Sequence, residues 1–486
     1  MSEHPVEIGV GQLSFTFGFP EEGVMSSLGT KDGARETEGN GPEASLAAPV
    51  VRSKPERKRK WHSLIDKVYA RRNLALAWQH VAANRGAAGA DGVTIKRFAE
   101  RAEERLEQLA EDLRKKSYRP QPVLRVYIPK SGGGERPLGI PTVRDRIVQQ
   151  ALLQVLQPIF EPVFSTRSHG FRPERGCATA LAVVDQALRH GYTWVEDADI
   201  QTFFDTVDHE KLLDAVNEEV ADGSVLRLIR QILRAGVHLP DAAQTEPTEL
   251  GTPQGGPLSP LLANIYLNRL DRRMMQARYG LVRYADDFVI FTKSESEAAE
   301  ALQLAREVLE GELGLRLHPE KTRVVSVDTG FEFLGFHYFR DPKTGARCKE
   351  VRHKSAQRFR DAIRQRTPRL RTQRRVKARH ATLNRLARNK RIAQIIRSVN
   401  CFLRGWHWYF KSIQPAVPRF AHEGPFDGFD YFVRRRVRLA ITGRVGSGWW
   451  TVRINNTVLR KLGLRPLAEL HHEYQQGRLG APIRKD

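Results

Sequence analysis

Residues 281–291 read LVRYADDFVIF, in which two β-prone runs flank the dipeptide Asp286-Asp287. Runs of this kind around a tight polar pair predict a β-hairpin with two carboxylates at its tip. Adjacent carboxylates repel each other and are costly to bury unpaired, so a divalent cation would give the pair a purpose. Taken alone, the dipeptide fits two solvated loop residues better, and the metal-site hypothesis depends on the rest of the chain.

A third carboxylate, Asp199, follows another predicted strand. Residues 194–205 read WVEDADIQTFFD, whose apolar positions predict a strand with one buried face that ends near Asp199. A helix is predicted to open at Phe203 and to run through 209–213. Because Asp is a common helix N-cap, Asp199 alone is weak support for a metal site. If neighbouring strands bring it to the Asp-Asp dipeptide, the three carboxylates are the minimal equipment for two-metal nucleotidyl transfer.

These blocks resemble a known family. YADD at 284–287 resembles the YxDD box of reverse transcriptases, and DIQTFF at 199–204 resembles their first catalytic block. The resemblance covers about residues 61–440 and narrows to the group II intron-encoded reverse transcriptase/maturases. Their other blocks are similar, in family order, to GADGV (89–93), VYIPK (126–130), ERPLGIP (135–141), SHGFRP (168–173), GTPQGGPLSP (251–260), HPEKT (318–322), FLGF (333–336) and LRGW (403–406).

The resemblance implies an α+β fold: a right-hand polymerase with reverse-transcriptase fingers and palm, followed by an α-helical thumb/X (maturase) domain. The expected divisions are a disordered N-terminal tail and basic linker (1–60), fingers and palm (61–340), the thumb/X domain (341–415) and a basic C-terminal region (416–486). The linker either touches RNA phosphates or is simply solvated. The C-terminal region would bind DNA or add RNA-binding surface. The chain lacks the paired cysteines of the H-N-H endonuclease domain, so we expect the bacterial type without that domain.

The resemblance also implies the site residues. Those expected to be catalytic are Asp199, Asp286 and Asp287, which together with Ile200 would hold two Mg²⁺ ions, with Mn²⁺ as a substitute. Those expected to bind the nucleotide are Lys130, Arg136, Phe204, Gln254 and Lys321.

Each nucleotide-binding residue has an implied role. Lys130 and Arg136 flank a Gly-rich turn, and an ammonium and a guanidinium fork suit a triphosphate. The Phe204 ring would lie under the incoming sugar and clash with a ribose 2′-hydroxyl, which favours DNA synthesis over RNA synthesis. Gln254 would contact the nucleotide or the template base pair, and Lys321 would orient the catalytic region.

A basic stretch predicts the nucleic-acid surface. Residues 364–379 contain arginines and a lysine but no acidic residue, as expected for a helical bundle that grips a duplex by its phosphates. The residues expected to bind nucleic acid are Arg172, Arg371, Arg374, Arg375, Lys377 and Arg404. Arg172 is equally well explained by pairing with an acid. For Trp406, Trp408 and Tyr409, core packing is favoured over stacking on bases.

Composition agrees with a polyanionic partner. The 486 residues carry a net charge of +23, and 40% of them are hydrophobic, enough for a globular core. No apolar run approaches the roughly 20 residues that span a bilayer. The three scattered cysteines exclude a disulfide framework and a Cys-pair zinc site. We expect a bacterial cytoplasmic protein, associated with ribonucleoprotein or the nucleoid, without a membrane partner.

The sequence therefore predicts an RNA-directed DNA polymerase encoded by a group II intron, which copies intron RNA into DNA and assists splicing as a maturase. Its expected partners are the intron RNA, an RNA template with a DNA primer, deoxynucleoside triphosphates and a DNA target site. Two alternatives stay open. One is an RNA-binding splicing cofactor with an idle polymerase, which the intact motifs disfavour. The other is a free-standing reverse transcriptase in host repair or defence, which the LRGW block disfavours.

Overall fold

The computed structural model describes residues 60–129, 135–239, 245–246, 249–252, 255–368, 386–414, 424–442 and 454–480. For Pro129, Arg136, Thr245 and Glu246 it describes the backbone only. The chain divides into two compact units, Met1–Val324 and Val325–Asp486.

The first unit is rich in helices, and two of them, α5 and α10, are 18 residues long and buried on most sides. The helices are α1 (Ile65–Tyr69), α2 (Arg71–Ala83), α3 (Ile95–Ala99), α4 (Ala102–Arg114), α5 (Val143–Phe160), α6 (Cys177–Arg189), α7 (Phe203–Thr206), α8 (His209–Asn217), α9 (Gly223–Leu233), α10 (Ser259–Gln276) and α11 (Glu295–Arg306). Both α5 and α10 contribute buried apolar side chains to the large core of this unit.

Among the described residues, strands β1 to β8 form two four-stranded sheets, with the orders β2-β1-β4-β5 and β6-β7-β3-β8. Their strands are β1 (Val123–Pro129), β2 (Glu135–Ile140), β3 (Trp194–Asp199), β4 (Val237–His238), β5 (Thr245–Glu246), β6 (Gly280–Tyr284), β7 (Asp287–Thr292) and β8 (Arg323–Ser326). In the second sheet, β7 lies between β6 and β3 and is antiparallel to both. The predicted hairpin over 281–291 and the predicted strand that ends at Asp199 are both confirmed.

The single helix predicted from Phe203 through 209–213 is wrong. The structure has two helices, α7 and α8, separated by Val207 and Asp208. The Asp208 side chain accepts hydrogen bonds from the backbone N–H groups of Glu210 and Lys211, so it caps α8 and starts a new helix.

The second unit combines a small sheet with helices. Its sheet has the order β11-β10-β9, and its elements are β9 (Phe331–Phe333), β10 (Phe336–Arg340), β11 (Arg347–Val351), α12 (His353–Arg366), α13 (Lys390–Phe410), α14 (Asp427–Thr442), α15 (Asn456–Lys461) and α16 (Leu467–Gln475). The expected division at 340 coincides with the end of β10, whereas the compact units divide earlier. The reason is that β9, β10 and β11 pair only with one another among the named strands.

Trp406 lies in an aromatic core of the second unit. Its side chain is 6% exposed, and its ring centroid lies 4.6 Å from that of Phe359 and 4.7 Å from that of Phe429. The Tyr409 hydroxyl donates to the Leu334 carbonyl at 2.8 Å. Core packing is therefore confirmed for Trp406, and Tyr409 is held by the protein itself.

Two further sequence expectations concern cysteines and the membrane. Cys177 and Cys348 are buried, Cys401 is exposed, and all are free thiols. Within the described ranges, the structure contains no helix with the length and apolar character needed to cross a bilayer.

Candidate active site

Asp199 and Asp287 lie at the same end of the sheet β6-β7-β3-β8. Strand β3 ends at Asp199, β7 begins at Asp287, and the two residues are direct partners in the antiparallel ladder. Side chains of directly opposite residues lie on the same face, with Cβ atoms about 4.5–5.5 Å apart. Asp286 precedes Asp287 in the turn of the β6–β7 hairpin. The structure thus brings the three predicted aspartates to one end of this sheet, where β3 ends and β7 begins.

The turn that presents Asp286 is held in an unusual backbone conformation. Ala285 has φ 58°, in the left-handed region that residues other than glycine seldom adopt. Gly170 packs directly on it, because a Cβ at Gly170 would lie 2.4 Å from the Ala285 nitrogen. Strained residues persist where their surroundings over-determine them, and such sites are often functional.

A buried ion pair supports this turn from inside the unit. Arg283 and Asp271 both have fully buried side chains, with Nε–Oδ1 and Nη2–Oδ2 distances of 2.7 and 2.5 Å. The Arg283 Nη1 also donates to the Ala285 carbonyl at 2.8 Å and to Asn264 Oδ1 at 3.0 Å. Sequence reasoning missed this group, although an arginine within an apolar strand run is a signal for a buried partner.

Lys321 contacts Asp199, one of the three aspartates predicted to bind metal. Its Nζ donates to Asp199 Oδ2 at 2.7 Å, and both side chains are partly exposed. The backbone N–H of His318 donates to the Asp199 carbonyl, which fixes the 318–321 segment beside β3. The orienting role of Lys321 and its contact with a nucleotide both stay predictions.

Phe204 is half-buried and follows strand β3, which ends at Asp199. Its ring packs edge-on against Phe203, which is 2% exposed and belongs to the core. The Phe204 carbonyl accepts a hydrogen bond from the Thr252 nitrogen at 2.7 Å, and a Cβ at Gly251 would lie 2.8 Å from the same carbonyl oxygen. The loop that leads to Gln254 is therefore anchored on the backbone of Phe204.

Arg172 has an internal role. It is 7% exposed, forms an ion pair with Glu161 at 2.7 Å, and donates to the carbonyls of Ser165 and Ser168. Of the two sequence interpretations, the structure shows pairing with an acid. Arg172 is thereby removed from the expected nucleic-acid surface, because its donors are turned toward the protein.

The remaining expected site residues are placed as follows. Arg404 is half-buried on α13, and its nucleic-acid contact stays a prediction. The Ile200 side chain is 3% exposed and has no ligand atom, so only its backbone carbonyl could serve a cation. Arg136 has its backbone in β2, opposite Ile128, but its side chain is not described. The residues outside the described ranges are Lys130, Gln254, Arg371, Arg374, Arg375 and Lys377.

The donor set suits a hard divalent cation. Among the described residues, no three acidic, histidine or cysteine side chains form a ready-made metal cage. Mg²⁺ seldom needs one, because it commonly keeps several waters and takes one or two carboxylates together with substrate phosphates. Asp199 and Asp287, as ladder partners, can supply two such carboxylates, so the residues present fit Mg²⁺ or Mn²⁺.

Another acidic residue of β3, Glu196, has different properties. Glu196 is fully buried, and burial raises its pKa to about 9, so its carboxyl is neutral at pH 7. Successive side chains of a strand point to opposite faces, which puts Glu196 on the face away from Asp199. It does not belong to the acidic site.

Comparison with known proteins identifies the family. The family described as "Reverse transcriptase (RNA-dependent DNA polymerase)" matches residues 128–338. Protein YkfC of Escherichia coli (strain K12) is 38% identical over 291 residues, which cover 52% of this chain and 76% of YkfC.

Several relatives carry names that refer to introns. The group II intron-encoded protein LtrA of Lactococcus lactis subsp. cremoris is 40% identical over 204 residues, which cover 42% of this chain but 33% of LtrA. An uncharacterized 91 kDa protein in the cob intron of Schizosaccharomyces pombe is 39% identical over 166 residues, which cover 34% of this chain and 20% of that protein. These matches fit a polymerase fold of mixed helix and sheet. The chain belongs to the reverse transcriptase family and, within it, to the group II intron-encoded reverse transcriptases and maturases.

Proposed function

We propose that this protein copies its intron RNA into DNA by two-metal nucleotidyl transfer and assists the splicing of the same RNA. The observation that carries the proposal is the ladder pairing of Asp199 with Asp287, next to Asp286 in the hairpin turn. Its substrates would be deoxynucleoside triphosphates and a DNA primer on an RNA template, and a DNA target site would receive the intron.

The side chains at the sheet edge would divide the work. Asp199, Asp286 and Asp287 would hold the cations, and bound Mg²⁺ would activate the primer hydroxyl and neutralise the triphosphate. The Lys321 ammonium lies on Asp199 and offsets its repulsion with Asp287 while no cation is bound. The Arg283–Ala285 hydrogen bond keeps the turn in place, so the carboxylates need little reorganisation.

Phe204 would select the sugar. Its backbone is fixed by the Thr252 hydrogen bond, and its ring leans on the buried Phe203. A ring fixed in this way cannot easily withdraw from a ribose 2′-hydroxyl, so deoxynucleotides would be preferred. Lys130, Arg136 and Gln254 would complete the nucleotide pocket, as the family resemblance implies.

The second unit would supply the RNA-binding surface. We assign 341–415 to the thumb/X domain, because α12 and α13 bury apolar side chains and carry basic residues on the outside. The exposed basic side chains are Lys354, Arg364, Lys390, Arg391 and Arg397. Phosphate contacts of this kind give affinity that falls steeply with salt but reads little sequence.

The test is extension of a DNA primer on an RNA template with Mg²⁺ and deoxynucleotides. The wild type is compared with Asp286→Ala and with Asp66→Ala, which alters an exposed aspartate of α1. We expect product from the wild type and from Asp66→Ala, and none from Asp286→Ala, with equal RNA affinity in all three. If the wild type binds RNA tightly but makes no DNA, the idle-polymerase alternative is favoured and the proposal fails.

A further inference from the structure

We propose that the buried pair Arg283–Asp271, together with Asn264, positions the metal-binding carboxylates by clamping the Ala285 turn. This inference rests on the proposed function, because it assigns Asp286 and Asp287 to metal binding. Arg283, Asp271 and Asn264 are positioning residues, since they act on the site through Ala285 and Gly170.

The first step is the geometry of the clamp. The Arg283 guanidinium uses Nε and Nη2 on the Asp271 carboxylate, and its Nη1 reaches both Asn264 and the Ala285 carbonyl. Asp271 and Asn264 both project from α10, a helix of the apolar core. The turn is thereby tied to a rigid helix by directional, charge-assisted bonds.

The second step is a contact from the other side of the turn. Asn264 accepts from Arg283 through Oδ1 and donates through Nδ2 to the Gly170 carbonyl at 2.8 Å. Gly170 in turn leaves no room for a Cβ against the Ala285 nitrogen. Asn264 therefore connects the two residues that contact Ala285, which are Arg283 and Gly170. A shift of either residue would move the turn that carries Asp286.

The buried Arg283–Asp271 pair is better explained by positioning than by a contribution to stability alone. A buried ion pair often contributes little net stability, because desolvation offsets the attraction, and an apolar pair of similar volume is frequently as stable. A contribution to stability therefore does not explain why Arg283 and Asp271, both fully buried, are charged. An apolar pair could not replace the hydrogen bond from Arg283 to the Ala285 carbonyl. That bond helps to hold Ala285 at its unfavourable φ of 58°.

The test removes both charges at once. Arg283→Met with Asp271→Leu keeps apolar bulk in the core and deletes the bond to Ala285. The control is Arg269→Met with Glu312→Gln, which removes the ion pairs that Glu312 forms with Arg269 and Arg273 of the same helix. Mn²⁺ binding is measured by electron paramagnetic resonance, with primer–template and a non-hydrolysable deoxynucleotide present. The Mg²⁺ concentration for half-maximal extension is measured in parallel.

We expect the Arg283/Asp271 double variant to melt near the wild type and to bind RNA equally well. Its Mn²⁺ affinity should fall roughly tenfold or more, as is typical when groups that orient metal ligands are removed. The Mg²⁺ requirement should rise with it, and the control should match the wild type in both. If the folded double variant keeps wild-type Mn²⁺ affinity and Mg²⁺ dependence, the positioning role is wrong.

A second variant covers the case in which the double variant does not fold. Asn264→Ala deletes the bonds to Arg283 and Gly170 without leaving a charge unpaired, and we expect a smaller loss of Mn²⁺ affinity in the same direction. Unchanged Mn²⁺ affinity in folded Asn264→Ala overturns the inference. A wild type that binds Mn²⁺ but makes no DNA would instead overturn the proposed function, so the two failures are distinct.

Discussion

The Lys321 ammonium lies 2.7 Å from the carboxylate of Asp199, and Asp199 pairs with Asp287 in the antiparallel ladder of β3 and β7. The Lys321 ammonium thus contacts a carboxylate oxygen that a metal ion would use as a ligand. Two carboxylates side by side on one sheet face would otherwise repel each other. Lys321 is therefore expected to stabilise the site before metal arrives and to compete with the metal afterwards.

We predict that Lys321→Met binds Mn²⁺ more tightly in the absence of nucleotide. The pair is partly exposed, and such pairs contribute about 0.2–1 kcal/mol, so the gain should be about fivefold at most. Electron paramagnetic resonance of the nucleotide-free protein measures it, with Lys67→Met on α1 as the control. Weaker Mn²⁺ binding by folded Lys321→Met would mean that the lysine assists the metal and does not compete with it.

We predict that Phe204→Val incorporates ribonucleotides more readily. The Thr252 hydrogen bond is made by the Phe204 backbone, so the loop anchor survives while the ring is lost. The readout is the ratio of kcat/KM for deoxy- and ribonucleotides on one primer–template. Phe98→Leu is the control, because that ring is buried against Trp78 and its loss should lower stability without changing the ratio. An unchanged ratio in Phe204→Val contradicts the sugar-selection role.

We predict that Glu196→Gln stabilises the protein increasingly as pH rises. The unfolded carboxyl loses its proton near 4.5, but the buried one holds it until about 9, so folding stability falls between these pH values. The loss is at most about 1.4 kcal/mol per pH unit, and glutamine does not suffer it. Urea unfolding from pH 5 to 8 measures this, with the exposed Glu100→Gln as control. A stability difference that is flat with pH would contradict the raised pKa.

We predict that Arg172→Met destabilises the fold without changing the salt dependence of RNA binding. The variant leaves Glu161 without its partner, which should cost about 3 kcal/mol of unfolding free energy. A plot of log affinity against log salt concentration should keep its slope, because no phosphate contact is lost. A stable variant whose slope falls by about 0.9 would instead place Arg172 on a phosphate.

The parts of the site that local patterns encode were predictable. Alternating and β-prone residues indicated the hairpin and the strand that ends at Asp199, because strand period and burial follow directly from the sequence. The helix break at Asp208 was missed, since its capping hydrogen bonds are a local alternative to one continuous helix.

The long-range pairings were not predictable from one sequence. Asp271 and Arg283 become partners only when α10 packs behind β6, and Lys321 reaches Asp199 only when the segment before β8 lies along β3. Similarly, the charge of Arg172 suggested a nucleic-acid contact or an acidic partner with equal force. Burial, which depends on the whole fold, is what separates these alternatives.

The most direct test of the account is a rapid-quench measurement of single deoxynucleotide incorporation on an RNA template. The wild type is compared with three separate variants, Asp199→Asn, Asp286→Asn and Asp287→Asn, and with the control Asp66→Asn. Each asparagine keeps the shape of the side chain and removes its charge. We expect rates lowered roughly a thousandfold or more in the three site variants, with unchanged RNA affinity and a normal rate in the control. Near-wild-type incorporation by the Asp199 or Asp287 variant would contradict the claim that this ladder pair forms the catalytic site.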